Sequence, residues 1–198
     1  MPHGASCARD AAGSLSAMRS TPLQVSTLTL AVMLASRAPE AESQTPMNRV
    51  RATSAAIANE VAHARQWSPT FQALIDAINA TDGLVYIEEG ECRGHVRACL
   101  VHAVTVAGPH RLLHIKIDPR RNSFNAHSVD PDVIGLLGHE LQHAAEVLRN
   151  PRLRTYADVA NFYMREGTFS TGTVLETAEA ERAGLVIADE VRRAHKNH

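Results

Sequence analysis

Asp130-Pro131-Asp132-Val133-Ile134-Gly135-Leu136-Leu137-Gly138-His139-Glu140-Leu141-Gln142-His143 is the stretch on which the reading of this chain turns. Asp130 before Pro131 has the form of a helix N-cap followed by proline at the first helical position. Val133, Ile134, Leu136, Leu137, Leu141 and Val147 recur at helical spacing, and Asn150-Pro151 ends the run because proline cannot continue a helix. The pattern predicts a mostly apolar, buried helix. On it, His139 and His143 stand four residues apart and therefore on one face, where two imidazoles can hold one zinc ion at roughly 2.0–2.1 Å. Glu140 points about 100° away around the axis. It is placed to take a proton from water at the metal and not to ligate the metal itself.

A catalytic zinc takes three protein ligands and keeps one position open. The extended pattern HExxHxxGxxH fails here, because Glu146 stands at the glycine position and Arg149 at the third histidine. The segment Gly172–Gly184 offers Glu176, Glu179 and Glu181 on an expected helix, with Val174, Leu175, Ala178, Leu185 and Val186 suggesting its buried side. Glu176, next to Leu175 near the helix start, is the first choice for the third ligand and Glu179 the second. Glu146 continues the ligand face one turn beyond His143. It suits a supporting role, accepting a ring N–H from a ligand histidine.

These residues resemble the zincins, the HExxH metallopeptidases, and within them the gluzincins, where a glutamate on a later helix completes the site. GHELQHAAEVL followed by ETAEAERAG is also similar to small bacterial secreted zincin-like proteins. The resemblance covers about residues 131–190. It implies Zn2+ at His139, His143 and Glu176, Glu140 as general base, and a peptide or protein substrate. The chain departs from the gluzincin pattern at Ala180, where an acidic residue often stands.

The rest of the chain fits one domain of ordinary size. With 198 residues and a net charge of −1, it shows no basic stripe for nucleic acid. Residues 1–45 differ in character. Met18-Arg19 precedes an apolar run from Pro22 to Ala35, too short for a comfortable membrane span, and small residues follow. We expect an upstream extension, a signal peptide starting near Met18 and a linker over 1–45, then a single metallohydrolase domain over 46–198 that is exported to the periplasm or beyond. Cys92 and Cys99 flank a short stretch between two strand-like runs, 84–88 and 99–106, so a disulfide across that hairpin fits an oxidising compartment. Cys7 falls in the leading segment.

Arg111–Asp118 reads as a third strand after a turn at Gly108-Pro109, with Leu113, Ile115 and Ile117 alternating. Zincins commonly carry an edge strand above the active helix that binds extended peptide, and this strand looks like that element. Residues 48–79 read as one or two helices broken near Trp67-Ser68-Pro69, and 155–166 as another. The expected fold is α+β, a small antiparallel sheet packed on helices, with HExxH on a buried helix. Tyr156, Tyr163 or His127 could donate to an oxyanion. His102, His110, His114 and His127 receive no metal role. Two rival readings stand beside the enzyme: a non-catalytic zinc-binding domain with Glu146 or Glu179 as fourth ligand, and a metal-free helical binding module.

Overall fold

The computed structural model describes residues 48–122, 129–166, 168–170 and 174–196. The expected signal segment with Met18 and Cys7, and His127, lie outside the described residues. In chain order the elements are β1 (Val50–Ala52), α1 (Ala55–Trp67), α2 (Pro69–Asn79), β2 (Gly83–Glu89), β3 (Ala98–Ala107), β4 (His110–Ile117), α3 (Pro131–Arg149), α4 (Tyr156–Glu166), β5 (Thr168–Ser170), β6 (Val174–Glu176) and α5 (Ala178–Lys196). The class is α+β, as expected. No helix among the described residues is long and apolar enough to cross a membrane.

Local chemistry explains the helix boundaries. The Ser54 side chain accepts from the Ile57 N–H at the start of α1. Ser68 closes α1 through its own N–H and opens α2 by accepting from Phe71, with Pro69 at the first helical position. The expected break at Trp67-Ser68-Pro69 is therefore one residue serving two helices. Glu190 of α5 accepts from the Ser68 and Thr70 hydroxyls, which places a carboxylate at the amino end of α2.

The sheet is mixed and not wholly antiparallel. Its order is β1-β2-β4-β3, with β1, β2 and β4 parallel and β3 antiparallel to β4. The runs 84–88 and 99–106 are thus not neighbours, because β4 lies between them. Two strand spacings amount to roughly 10 Å, which the chain between β2 and β3 spans with ease. Within this sheet the hairpin is β3–β4, turning at Gly108 with φ of 57°, while β5 and β6 pair antiparallel as a separate two-stranded sheet. Cys92 and Cys99 are joined by the expected disulfide, but it closes the connection leading into β3.

Alternation then builds the core. Val85 and Ile87 of β2, Leu113, Ile115 and Ile117 of β4, and Leu100 of β3 are buried on the face that meets the helices, together with Phe71, Ile75 and Ile78 of α2 and Leu137, Leu141 and Leu148 of α3. At Gly83 a β-carbon would lie 2.3 Å from Leu148, so the first residue of β2 sits directly under the end of α3. Arg111 shares the buried side of β4 and is 1% exposed. Its guanidinium binds the Asp82 carboxylate and donates to the carbonyls of Val147, Leu148, Asn150 and Leu153. It closes the carboxyl end of α3, where a helix leaves carbonyls without helical partners.

Glu60 on α1 is 4% exposed, and its Oε2 finds no hydrogen-bond partner among the described residues. Burial, helped by the charge of Asp130, pushes its pKa up to about 7. A carboxyl raised in this way keeps its contribution below its ordinary pKa and loses it as the pH rises through about 7. Glu60→Gln should therefore leave the thermal midpoint nearly unchanged at pH 4 and raise it at pH 8, by roughly 2–6 °C if about 1–2 kcal/mol is relieved. Calorimetry showing the same gain at both pH values would contradict the assignment.

Candidate metal centre

The helix α3 forms as its sequence predicts. The Asp130 side chain accepts from the Asp132 N–H at 2.9 Å, Pro131 occupies the first turn, and the helix stops at Arg149. Both ends are fixed, and His139, Glu140 and His143 lie well inside. Glu140 and His143 are each 6% exposed. The two imidazoles stand edge to face, their centroids 4.8 Å apart.

The chain entering α5 brings the third group. A carboxylate oxygen of Glu176 lies 3.0 Å from His139 Nε2 and 3.4 Å from His143 Nε2. The three donor atoms lie within 4.8 Å of one another. Ligands at about 2.0–2.1 Å from a tetrahedral ion stand roughly 3.3–3.4 Å apart, close to the two separations to Glu176, so this donor set could hold one metal ion. Glu176 was expected on a helix; it instead ends β6, and α5 starts at Ala178. The reason is Thr177, whose hydroxyl accepts from the Ala180 N–H and so begins the helix after Glu176. Glu179 and Glu181 on α5 are exposed and do not join the cluster.

Close packing of α3 and α5 seats this arrangement. A β-carbon at Gly135 would lie 2.7 Å from the Gly184 carbonyl oxygen, and one at Gly184 would lie 3.2 Å from His139 Cβ. The helices cross backbone to backbone one turn before His139.

Glu146 stands where a supporting partner was expected. One of its oxygens is 3.1 Å from His143 Nδ1, and the other accepts from Gln142 and from the Thr177 hydroxyl. With Nδ1 facing a carboxylate, His143 turns Nε2 towards Glu176. The same glutamate ties the residue after Glu176 to the helix that bears the histidines.

Charge and burial set the protonation. Burial works against the His143 imidazolium, but hydrogen bonds to Glu146 and Glu176 and the charge of Glu140 outweigh it and lift the pKa to about 9. Burial likewise works to raise Glu176, yet the two histidines hold it down at about 2. Glu140 is pushed above the ordinary carboxylate range by burial, against the pull of His143, His139 and a backbone N–H.

That N–H belongs to Leu100 and donates to Glu140 Oε2 at 2.7 Å. It corrects the expected edge strand. The strand 111–118 is internal, as β4, whereas β3 lies at the edge of the sheet and meets the site. The alternation of Leu113, Ile115 and Ile117 is that of a strand buried on one face and does not reveal whether its edges are paired.

Of the expected oxyanion donors, Tyr163 is buried and its hydroxyl donates to the His143 carbonyl at 3.1 Å. Tyr156 is 64% exposed. His102, to which no role was given, stacks on Tyr163 with centroids 5.3 Å apart, and Tyr163 in turn stands edge-on to His143 at 5.3 Å. Burial, then the nearby charge of His143, hold the His102 pKa below its ordinary value. Strand alternation from Leu100 would have placed His102 on the same face as that buried residue. His110 and His114 lie on β4 and stay outside the cluster. No protein-family model, curated protein or solved structure matches the chain.

Proposed function

We propose that the chain is a zinc-dependent hydrolase that cleaves peptide bonds, with His139, His143 and Glu176 as metal ligands and Glu140 as general base. The observation that carries this reading is the convergence of three donor atoms beside a fourth, separately held carboxylate. A zinc ion there would polarise a carbonyl and make water acidic at its open position. Glu140 does the proton work. Its Oε2 is fixed by the Leu100 amide, which leaves Oε1 to take a proton and return it to the leaving nitrogen. Burial, by raising the Glu140 pKa, makes it a better base than an exposed glutamate. Glu146 fixes the tautomer and tilt of His143.

The rival reading, a closed zinc site without turnover, needs a fourth protein ligand. Glu146 faces Nδ1 of His143 and not the donor cluster, and Glu179 is exposed, so neither supports it. The Cys92–Cys99 bridge supports an oxidising compartment and hence export.

Glu140→Gln is expected to keep its zinc and lose at least about 10²-fold in turnover. The measurement is metal content by mass spectrometry, beside cleavage of a quenched-fluorescent peptide library. A Glu140→Gln protein as active as its parent would refute the mechanism.

A further inference from the structure

We propose that His102 is a catalytic residue, donating a ring N–H to the substrate carbonyl oxygen as negative charge builds on it. The inference rests on the hydrolase reading above. A hydrolytic site needs a donor aimed at the oxygen that gains charge, already in place before reaction. Among the described residues, four donors around the cluster are engaged: Tyr163 on the His143 carbonyl, Gln142 and Thr177 on Glu146, and the Leu100 amide on Glu140. His102 is half-buried, and neither of its ring nitrogens hydrogen-bonds to a described residue.

Three features place it for this role. Along β3 it follows by two residues the amide that holds Glu140. It also begins an irregularity in the sheet. Val101 pairs with His114 and Thr105 with Leu112, so residues 102–104 oppose a single residue of β4. Such bulges lift a strand from its ladder and re-aim a side chain, and they collect beside active sites. Finally, the ring is held. It stacks at 25° on Tyr163, with Tyr156 tilted beyond it at 6.5 Å. Tyr163 is itself pinned to the ligand helix through its hydroxyl. His102 is thus tied through Tyr163 to the helix that carries His143, and no described residue takes its ring nitrogens.

The test compares two dipeptide ligands with the same side chains on the zinc-loaded protein. One carries a phosphonamidate, whose tetrahedral oxygens mimic the charged carbonyl; the other carries a thiol, which needs no such donor. Titration calorimetry should show His102→Ala weakening the phosphonamidate roughly 10–100-fold while thiol binding stays within about threefold. Zinc content and thermal midpoint should match the parent. His102→Gln, which keeps an N–H donor, should recover part of the loss. Equal weakening of both ligands, or of neither, overturns the proposal. So does a zinc-loaded parent that binds neither ligand. A parent that holds no zinc removes the hydrolase reading itself, and this inference with it, and is told apart by metal content alone.

Discussion

His143→Ala and Glu176→Ala should each strip the protein of zinc. The loss of affinity should exceed the roughly 10–100-fold that follows removal of a partner behind a ligand. Glu179→Ala should bind as the parent does, because Glu179 is exposed and outside the donor cluster. Metal content after purification, followed by competition against a chelator, separates these outcomes. Zinc retained by Glu176→Ala but lost from Glu179→Ala would move the third ligand. The pH dependence is part of the same prediction. In the metal-free protein His143 is protonated below a pKa of about 9, and the ion must displace that proton. Apparent affinity should rise about tenfold per pH unit between 7 and 9 and then level off. Affinity constant over that range would contradict the assigned charge state. The metal-free fold has its own profile. The raised His143 pKa stabilises it below the ordinary imidazole range, an effect lost as the pH rises through about 9. The lowered Glu176 pKa stabilises it above the ordinary carboxylate range, an effect lost as the pH falls through about 2.

Arg111→Met should be the most destabilising single change outside the metal cluster. The guanidinium is 1% exposed, and its removal leaves Asp82 and four carbonyls at the end of α3 without their donor. Breaking a buried charged network from one side costs about 3–5 kcal/mol, or roughly 6–20 °C in midpoint for a domain of this size. Arg111→Lys should fall only a little less, since an ammonium has three donors and no planar fork to serve Asp82 and the helix end together. Asp82→Asn should be milder, the Asp82 side chain being one-third exposed. Urea denaturation measures all three. A cost below about 1 kcal/mol for Arg111→Met would show that water serves the helix end equally well.

The legible parts of this fold are those written in neighbouring residues. The helix that bears His139 and His143 declares itself through Asp130-Pro131, its apolar period and Asn150-Pro151. The disulfide shows because its cysteines are seven residues apart in sequence. Glu176 is legible as the first carboxylate of its segment, but its setting is not: Glu-Thr-Ala-Glu-Ala-Glu favours helix throughout, and the Thr177 cap that delays the helix is a single hydroxyl. The strand order was not legible. Strand patterns show which face is buried but not which neighbour is paired, and β4 slips between two runs that a short connection joins. Arg111 and His102 stayed hidden for a related reason. The partners of Arg111 are 29 to 42 residues away, and those of His102 sit on α4.

The glycine contact between α3 and α5 sets a tolerance. Two donors ride on one helix and cannot shift against each other, but the third arrives on a separate segment, eight residues before Gly184. Whatever separates the two helices also separates Glu176 from the histidines. Metal–ligand distances admit only about ±0.2 Å. A methyl group at Gly135, 2.7 Å from the opposing carbonyl, demands more room than that. The gauge of the proposed coordination sphere is therefore kept by residues outside the donor cluster. A chain with alanine there could remain folded, with every ligand in its sequence intact, and still be unable to close around zinc.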